Sequence, residues 1–254
     1  MFCGLTQHYK LKLIIMRHIT ITFIAVLFTT FSFAQNTDTF FNASDVFFKE
    51  YVKNGRVNYK AVKKNAAELD AILASTNKIT VNKSDANTYQ AYWINIYNLT
   101  VIKGIIENYP VKSPLDIKGL FDKTKYAVGG KKITLNDIEH KLLRAQFNND
   151  PRFHFVLVCA GLGCPPIIAE AYKPETLDTQ LTRQTKIALN SDDFIKVNAK
   201  KKRVQLSEIM KWYKGDFTQN GNEIDFINKY RDEKIAEKSK ISYYPYNWKL
   251  NETK

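Results

Sequence analysis

The sequence predicts an α+β protein, a single helix-rich domain with a small, mainly antiparallel sheet. Several segments repeat apolar residues at helical spacing, most clearly over residues 86–108. Two short β-prone pairs are each joined by a turn, one at Gly129-Gly130 and one over residues 198–202. The 254 residues are 44% hydrophobic and 25% charged, which excludes a disordered chain, a collagen-like chain and a disulfide scaffold.

A secretory signal peptide is predicted over residues 1–34, which leaves residues 35–254 as one globular domain. Met16 is the predicted true start, because Arg17 and His18 then form a compact basic region before an apolar core. Small residues at the end of the core suit cleavage after Ala34. The core is shorter than the ~20 residues that span a bilayer, and an uncleaved anchor is the alternative. We therefore expect an exported protein, periplasmic or secreted, with no membrane span after cleavage.

The first half of the domain is predicted to be helical. Apolar residues recur at helical spacing in three segments, residues 45–52, 59–73 and 86–108. Asn54-Gly55 predicts a turn after the first segment. Asp85 and Pro110 fit the start and end of the third segment. That third segment is apolar nearly all round, so we expect a buried helix.

The second half is predicted to mix hairpins, helices and one buried strand. The hairpins cover residues 125–134 and 194–206, and the helices cover residues 134–147, 177–190, 207–213 and 223–230. Residues 153–158 are β-rich and follow a proline, which favours a buried strand. Pro165-Pro166 favour a further helix from residue 167, because proline suits the first helical turn. The aromatic tail, residues 243–248, is expected to pack back onto the domain.

The net charge of +13 first suggests a nucleic-acid partner. The densest basic run covers residues 196–203, which is the tip of a predicted hairpin, and charges there are typical of solvated surface that discourages edge pairing. No nucleic-acid motif accompanies the run. We therefore expect no nucleic-acid partner, and at most unspecific contact with anionic envelope surfaces.

The thiols and imidazoles of the predicted mature chain fall in one segment, and they are His140, His154, Cys159 and Cys164. The helix expected after Cys164 would stabilise its thiolate through backbone N–H groups and the helix dipole. Strand alternation would place His154 and Cys159 on opposite faces. His140 is therefore the expected base, kept neutral by Arg144 one helical turn away. Glu139 is ~100° away from His140 around that helix, so a hydrogen bond between them is not implied.

The first functional hypothesis is a thiol-dependent hydrolase or transferase that acts on an amide or thioester-like bond. The substrate would be a small molecule or peptide-like. Cys164 would be the nucleophile and His140 the base. Other predicted members of the site are His154, Glu139 and Cys159 as catalytic residues, with Arg144, Asn95 and Asn98 as substrate-binding residues. We expect no cofactor and no metal.

Other interpretations of the same residues stay open. Cys159 and Cys164 suit a small disulfide in an exported protein. They also suit a zinc site with His140 and His154, although the Cys-x4-Cys spacing fits poorly, or two buried structural cysteines. Buried asparagines are more often structural ties than ligands. The second functional hypothesis is therefore a non-catalytic envelope binding or scaffold domain with a structural Cys159–Cys164 disulfide.

Several motifs, in one order, resemble the domain of unknown function 547 family. They are Tyr92-Trp93-Ile94-Asn95-Ile96-Tyr97-Asn98, Asp137-Ile138-Glu139-His140 with Leu143-Arg144, Asp150-Pro151-Arg152-Phe153-His154-Phe155, Cys159 with Gly163-Cys164-Pro165-Pro166, residues 207–217, and residues 246–251. The resemblance runs from about residue 45 to residue 251, and Asn247 stands where the family has an aspartate. It implies no established activity. It also implies an exported bacterial member, with eukaryotic relatives joined to glutaredoxin-like modules, an association that favours thiol chemistry.

Overall fold

Helix α4, Ala86–Asn108, forms the centre of the larger hydrophobic core. The computed structural model describes residues 37–253, so the predicted signal peptide lies outside the described residues. The Asp85 side chain caps α4 by accepting the backbone N–H of Thr88. Buried residues occur all around α4, which confirms the prediction of a buried helix. None of the helices within residues 37–253 is long and apolar enough to cross a membrane.

Three helices precede α4 and pack beside it: α1 over residues 37–51, α2 over Tyr59–Lys64 and α3 over Ala66–Ser75. The predicted helix over residues 59–73 is therefore two helices that meet at Asn65. Between α1 and α2, strands β1 (Val52–Lys53) and β2 (Arg56–Val57) form a small antiparallel hairpin around the predicted Asn54-Gly55 turn.

The first predicted larger hairpin is confirmed as strands β3, Tyr126–Val128, and β4, Lys131–Ile133. The helical segment that follows is not a regular α-helix. It consists of α5 (Leu135–Asp137), a π-helical turn (Ile138–Leu143) and a 3-10 turn (Arg144–Gln146). Such π-helical turns are frequent at functional sites, and this one carries Glu139 and His140.

The predicted strand over residues 153–158 is wrong. Asp150 and Pro151 instead start a 3-10 helix, Pro151–Phe155, in which the Asp150 side chain accepts the backbone N–H of Arg152. The residues after it are buried like a central strand, but the side chain of Asn98 bonds the carbonyl of Val156 and the N–H of Val158. An amide side chain thus replaces the neighbouring strand that the β-rich sequence predicts.

The predicted helix from residue 167 is also wrong, because residues 167–176 form no helix. Side chains from three other segments accept the backbone N–H groups that a helix would use internally. The acceptors are Asp45 for Ala171, Asn95 for Tyr172 and Gln180 for Lys173. The chain is therefore held in an irregular path, and the helix expected to stabilise the Cys164 thiolate does not form.

The C-terminal part confirms the α+β prediction. Its elements are α6 (Leu177–Leu189), β5 (Ile195–Asn198), β6 (Arg203–Ser207), α7 (Glu208–Trp212), α8 (Lys214–Phe217), α9 (Glu223–Tyr230) and β7 (Lys240–Tyr244). Strands β5 and β6 form the predicted antiparallel hairpin, and β7 adds to β6 in parallel. The helices and this sheet enclose a second, smaller hydrophobic core.

The loop over residues 159–164, called the thiol loop below, lies where the two cores meet. Cys164 packs against both of them. The C-terminal tail runs along the thiol loop and bonds it through the main chain. Its bonds are Leu162 N to Lys249 O at 2.7 Å, Gly163 N to Asn247 O at 2.8 Å and Asn251 N to Ala160 O at 2.9 Å. The expectation that the aromatic tail packs back onto the domain is confirmed.

Candidate functional site

A cavity of ≈ 290 Å³ opens beside the thiol loop. Its wall brings together four residues predicted from sequence, Glu139, His154, Cys159 and Cys164. Most of the remaining wall is aromatic, from Tyr97, Phe121, Trp212, Tyr213, Tyr246 and Trp248. Apolar and aromatic walls with a few convergent polar groups are typical of small-molecule sites.

Both cysteines are free, half-buried thiols. The disulfide expected as one alternative is therefore not formed in this structure. The Tyr246 hydroxyl oxygen lies 2.9 Å from the Cys159 sulfur and 2.8 Å from the Cys164 sulfur. The backbone N–H of Cys159 also donates to the Cys164 sulfur at 3.0 Å. The two thiols and the phenol thus form one hydrogen-bonded cluster, called the thiol–phenol cluster below.

The two thiols differ in how readily they ionise. The hydrogen bond from the Cys164 thiol lowers the pKa of Cys159, and this effect outweighs burial. Burial raises the pKa of Cys164 well above its usual value. Burial also raises the pKa of the Tyr246 phenol, and the two nearby sulfurs raise it further, so Tyr246 stays a proton donor. The Cys164 thiol thus acts as a donor to the Cys159 sulfur, and the nucleophile proposed below rests on this arrangement.

The backbone of the thiol loop is constrained in two places. Ala160, next to Cys159, has a left-handed φ of 63°, a conformation that L-residues with a side chain adopt at a cost. A Cβ at Gly163 would lie 2.8 Å from the Tyr246 ring and 2.9 Å from the Asn247 nitrogen. Only glycine at residue 163 lets the phenol come this close to the loop. Both constraints serve the placement of the two sulfurs against Tyr246.

His154 is held by a carboxylate. Its Nε2 lies 2.8 Å from Asp216 Oδ2, and its ring stacks on Tyr213 with ring centres 3.9 Å apart. Arg144 binds the same carboxylate through Nε and Nη2, both at 2.8 Å. Burial would raise the pKa of Asp216, but the bonds from His154 and Arg144 lower it to about 2. An ionised Asp216 only accepts, so His154 Nε2 carries a proton and Nδ1 is the nitrogen that can act as a base.

His140, the predicted base, is not on the wall of this cavity. Arg144 Nη1 lies 2.8 Å from His140 Nδ1, and a guanidinium only donates, so Nδ1 accepts. The predicted contact between Arg144 and His140 is therefore present. The Glu139 carboxylate lies 3.9 Å from His140 Nδ1, too far for a hydrogen bond, as the sequence implies.

Three residues predicted to bind substrate have other partners. The guanidinium nitrogens of Arg144 are engaged with Asp216 and His140. Asn95 bonds the carbonyl and N–H of Tyr172, and Asn98 bonds the main chain of residues 156 and 158. The asparagines are thus structural ties, and Asn98 in particular fixes the segment that leads into Cys159.

Sequence reasoning assigns no role to four residues of the site, Asn136, Tyr213, Asp216 and Tyr246. Asn136 lines the cavity one turn before Glu139. The other three lie far along the chain from the thiol loop, and the available signal is their place in the motifs that carry the family resemblance. The zinc alternative finds no support, because no group of three or more potential ligands is arranged to hold a metal ion within residues 37–253.

Residues 81–187 match the family model described as protein of unknown function, DUF547. This match supports membership of the DUF547 family. The DUF547 match includes Glu139, Arg144, His154 and both cysteines of the site. Asp216 and the aromatic residues from α7 and the tail lie beyond it. No curated protein and no solved structure matches the chain.

Proposed function

We propose that this DUF547 protein is a thiol-dependent hydrolase or transferase that acts on an amide or thioester-like bond. Cys159 is the nucleophile and His154 the general base. One observation supports this assignment above the others: both thiols and a carboxylate-bound imidazole line the same cavity. A nucleophile, a base and a third group that orients the base are what thiol catalysis requires.

The proposed reaction begins with transfer of the Cys159 proton to His154 Nδ1. The thiolate then attacks the carbonyl carbon, a C–S bond forms, and the C–N or C–S bond to the leaving group breaks. His154 returns the proton to the leaving group. Water or another acceptor next gives its proton to His154, attacks the thioester and releases Cys159 as a thiol.

The neighbouring groups have positioning roles. The Tyr246 hydroxyl donates to the Cys164 sulfur in the structure. When Cys159 ionises, this hydroxyl and the Cys164 thiol donate to the Cys159 sulfur and stabilise its thiolate. Asp216 holds the His154 ring, and Arg144 holds Asp216. Tyr213 supports the His154 ring by stacking on its face. The substrate is a small molecule or a peptide-like chain that fits a cavity of ≈ 290 Å³.

Alkylation of the full chain by iodoacetamide over a range of pH, with the modified cysteine located by mass spectrometry, tests this assignment. We expect Cys159 to react first and below the pH at which an ordinary thiol ionises. Cys164→Ala removes a donor and should slow alkylation of Cys159 by about tenfold, whereas Cys164→Ser keeps a hydroxyl donor and should slow it less. Reaction confined to Cys164 would contradict the choice of nucleophile.

A second measurement tests catalysis itself. With 4-nitrophenyl acetate, the wild-type chain should release a burst of 4-nitrophenolate as the acyl-enzyme forms, and Cys159→Ala should show none. His154→Gln should retain the fold but release the burst of 4-nitrophenolate much more slowly. Inert thiols and no burst would instead favour the second hypothesis, a non-catalytic envelope binding or scaffold domain.

We also propose that the protein is exported, because residues 1–34 have the pattern of a secretory signal peptide. Those residues lie outside the described part of the chain. Expression in a bacterial host, followed by fractionation and N-terminal sequencing, should find the protein in the periplasm or medium beginning at Gln35. Retention in the cytoplasm with an intact N-terminus would contradict export.

A further inference from the structure

The cavity wall carries a charge that the proposed thiol chemistry does not use. The Glu139 carboxylate lines the cavity, and the residue is only 8% exposed. Within residues 37–253, no lysine or arginine nitrogen lies within 4.0 Å of it, and its nearest basic neighbour is His140 Nδ1 at 3.9 Å. That nitrogen accepts from Arg144, so it carries no proton to offer Glu139. A buried carboxylate without a close cation is costly, which suggests that the cation comes from a ligand.

The remaining walls suit such a cation. Tyr246 and Trp248 have ring centres 4.6 Å apart, and Trp212 stacks on Trp248 with centres 5.9 Å apart. Trp212 is 47% exposed, so part of its surface stays open to a ligand. The faces of tryptophan and tyrosine rings attract ammonium groups, and an aromatic wall beside a carboxylate is a strong combination for holding one.

The nearby positive charge is already neutralised. The Arg144 guanidinium attracts the Glu139 carboxylate, but it is bound to Asp216 through two hydrogen bonds. The pair contributes little net charge to the cavity. The Tyr213 phenol hydrogen-bonds the Glu139 carboxylate, but no lysine or arginine of the described residues forms an ion pair with it.

We propose that the cavity binds the cationic ammonium group of a ligand between Glu139 and the aromatic wall formed by Trp212, Tyr246 and Trp248. The inference rests on the proposed function in one respect, since it takes this ligand to be the substrate of the thiol site. An ammonium group bound there places the rest of the substrate beside Cys159. Two sources share this chemistry, a small quaternary ammonium compound and the side chain of a peptide lysine.

Calorimetric titration of the full chain at neutral pH tests the proposal. The probes are choline, its neutral isostere 3,3-dimethylbutan-1-ol, and N-acetyl-lysine methyl ester. We expect at least one of the two cations to bind about tenfold more tightly than the neutral alcohol. Preference for choline or for the lysine derivative identifies the source of the ammonium group. Binding of neither cation, or equal binding of choline and the alcohol, overturns the proposal.

Substitutions at the cavity wall test whether the charge of Glu139, and not only the shape of the cavity, is needed for cation binding. Glu139→Gln keeps the size of the side chain and should weaken cation binding about tenfold while leaving the neutral alcohol unchanged. Asp137→Asn, two residues away and paired with Lys141 at 2.8 Å, is the matched control and should bind as the wild type does. Trp212→Leu, at a half-exposed position, should also weaken cation binding. Unchanged cation binding in both Glu139→Gln and Trp212→Leu overturns the proposal.

The same titration in Cys159→Ala distinguishes this inference from the proposed function. Cation binding retained in Cys159→Ala, together with no acyl burst in the wild type, would leave the ammonium site standing and remove the thiol enzyme. An acyl burst in the wild type without cation binding would support the thiol enzyme and overturn the ammonium site.

Discussion

Nε2 of His154 donates a 2.8 Å hydrogen bond to Oδ2 of Asp216. Because this carboxylate stays ionised down to a pH of about 2, it fixes the proton of the neutral imidazole on Nε2. The other nitrogen is then the base, and the ring cannot turn without breaking the bond. A buried carboxylate 62 residues along the chain thus sets the chemistry of a histidine whose own neighbours in sequence provide no such partner.

Asp216→Asn should reduce stability in a pH-dependent way. The change leaves Arg144 and His154 without a charged partner, so we expect a loss of about 3 kcal/mol in the free energy of unfolding at pH 7. The wild-type pKa is about 2 against a usual value of 3.8, so this stabilisation is complete above pH 4 and disappears as the pH falls towards 2. The gap between variant and wild type should narrow by about 2 kcal/mol over that window.

Urea unfolding between pH 2 and pH 7 measures this gap. Asp122→Asn, at an exposed position, is the control and should follow the wild type at each pH. A constant gap from pH 7 to pH 2 would show that the Asp216 carboxylate is not the titrating group.

Tyr246→Phe should impair thiol reactivity without unfolding the protein. It removes the hydroxyl that contacts both sulfurs but keeps the ring that packs on Trp212 and Trp248. Losing one hydrogen bond to a thiolate should slow iodoacetamide alkylation of Cys159 about tenfold near neutral pH. Tyr243→Phe, which removes a bond to Glu223 instead, is the matched control. Equal rates in the two variants would mean that the phenol does not stabilise the thiolate.

Gly163→Ala should destabilise the protein and disturb the thiol–phenol cluster. The new methyl group would meet the Tyr246 ring at 2.8 Å and the main chain of Asn247 at 2.9 Å. We expect a cost of about 1–3 kcal/mol, measured by thermal or urea unfolding, and slower alkylation of Cys159. Gly215→Ala in α8 meets nothing within 4 Å and should be neutral or slightly stabilising. If Gly163→Ala were as stable as Gly215→Ala, the C-terminal tail could move away from the thiol loop without loss of stability.

Asn98→Ala should loosen the approach to Cys159. The carbonyl of Val156 and the N–H of Val158 are buried and would lose their partner, at a cost of about 2–4 kcal/mol. Asn108→Ala removes a single bond to the carbonyl of Gly104 at the end of the same helix and should cost much less. Urea unfolding of the two variants compares them directly. Similar losses of unfolding free energy in the two variants would mean that the two hydrogen bonds of Asn98 contribute no more than the single bond of Asn108.

The parts of the fold that the sequence predicts well are those whose local pattern determines them. Helix α4 has a cap, a continuous apolar composition and a stop, and its bounds match the prediction. The glycine pair of the β3–β4 hairpin and the polar turn of the β5–β6 hairpin are likewise local signals. The pairing of β7 with β6 is not local, and nothing in the sequence of the tail distinguishes a strand from packed coil.

The segments predicted wrongly are those whose main chain is bonded by distant side chains. Residues 156–158 read as a strand because they are β-rich and buried, but Asn98 provides the bonds. The segment at residue 167 reads as a helix because of its prolines, but Asp45, Asn95 and Gln180 take the N–H groups. Hydrogen bonds between a side chain and a main chain far apart in sequence do not change the hydrophobic periodicity from which secondary structure is predicted.

The sequence predicts residues that gather at one cavity, whereas the roles proposed for them depend on the folded chain. Four of the five residues predicted as catalytic line one cavity. The choice of His140 over His154 depended on strand alternation, which does not apply to a 3-10 helix. The choice of Cys164 depended on a helix that does not form there. Asp216 and Tyr246, on which the proposed assignments rest, lie 62 residues from His154 and 82 residues from Cys164 along the chain.

The phenol that completes the thiol–phenol cluster is 82 residues beyond Cys164. During synthesis both cysteines therefore leave the ribosome well before Tyr246 and the tail that clamps their loop. Until that segment docks, the two sulfurs lack the donor and the backbone clamp that distinguish one from the other. The thiol–phenol cluster is therefore completed only after most of the chain has been made.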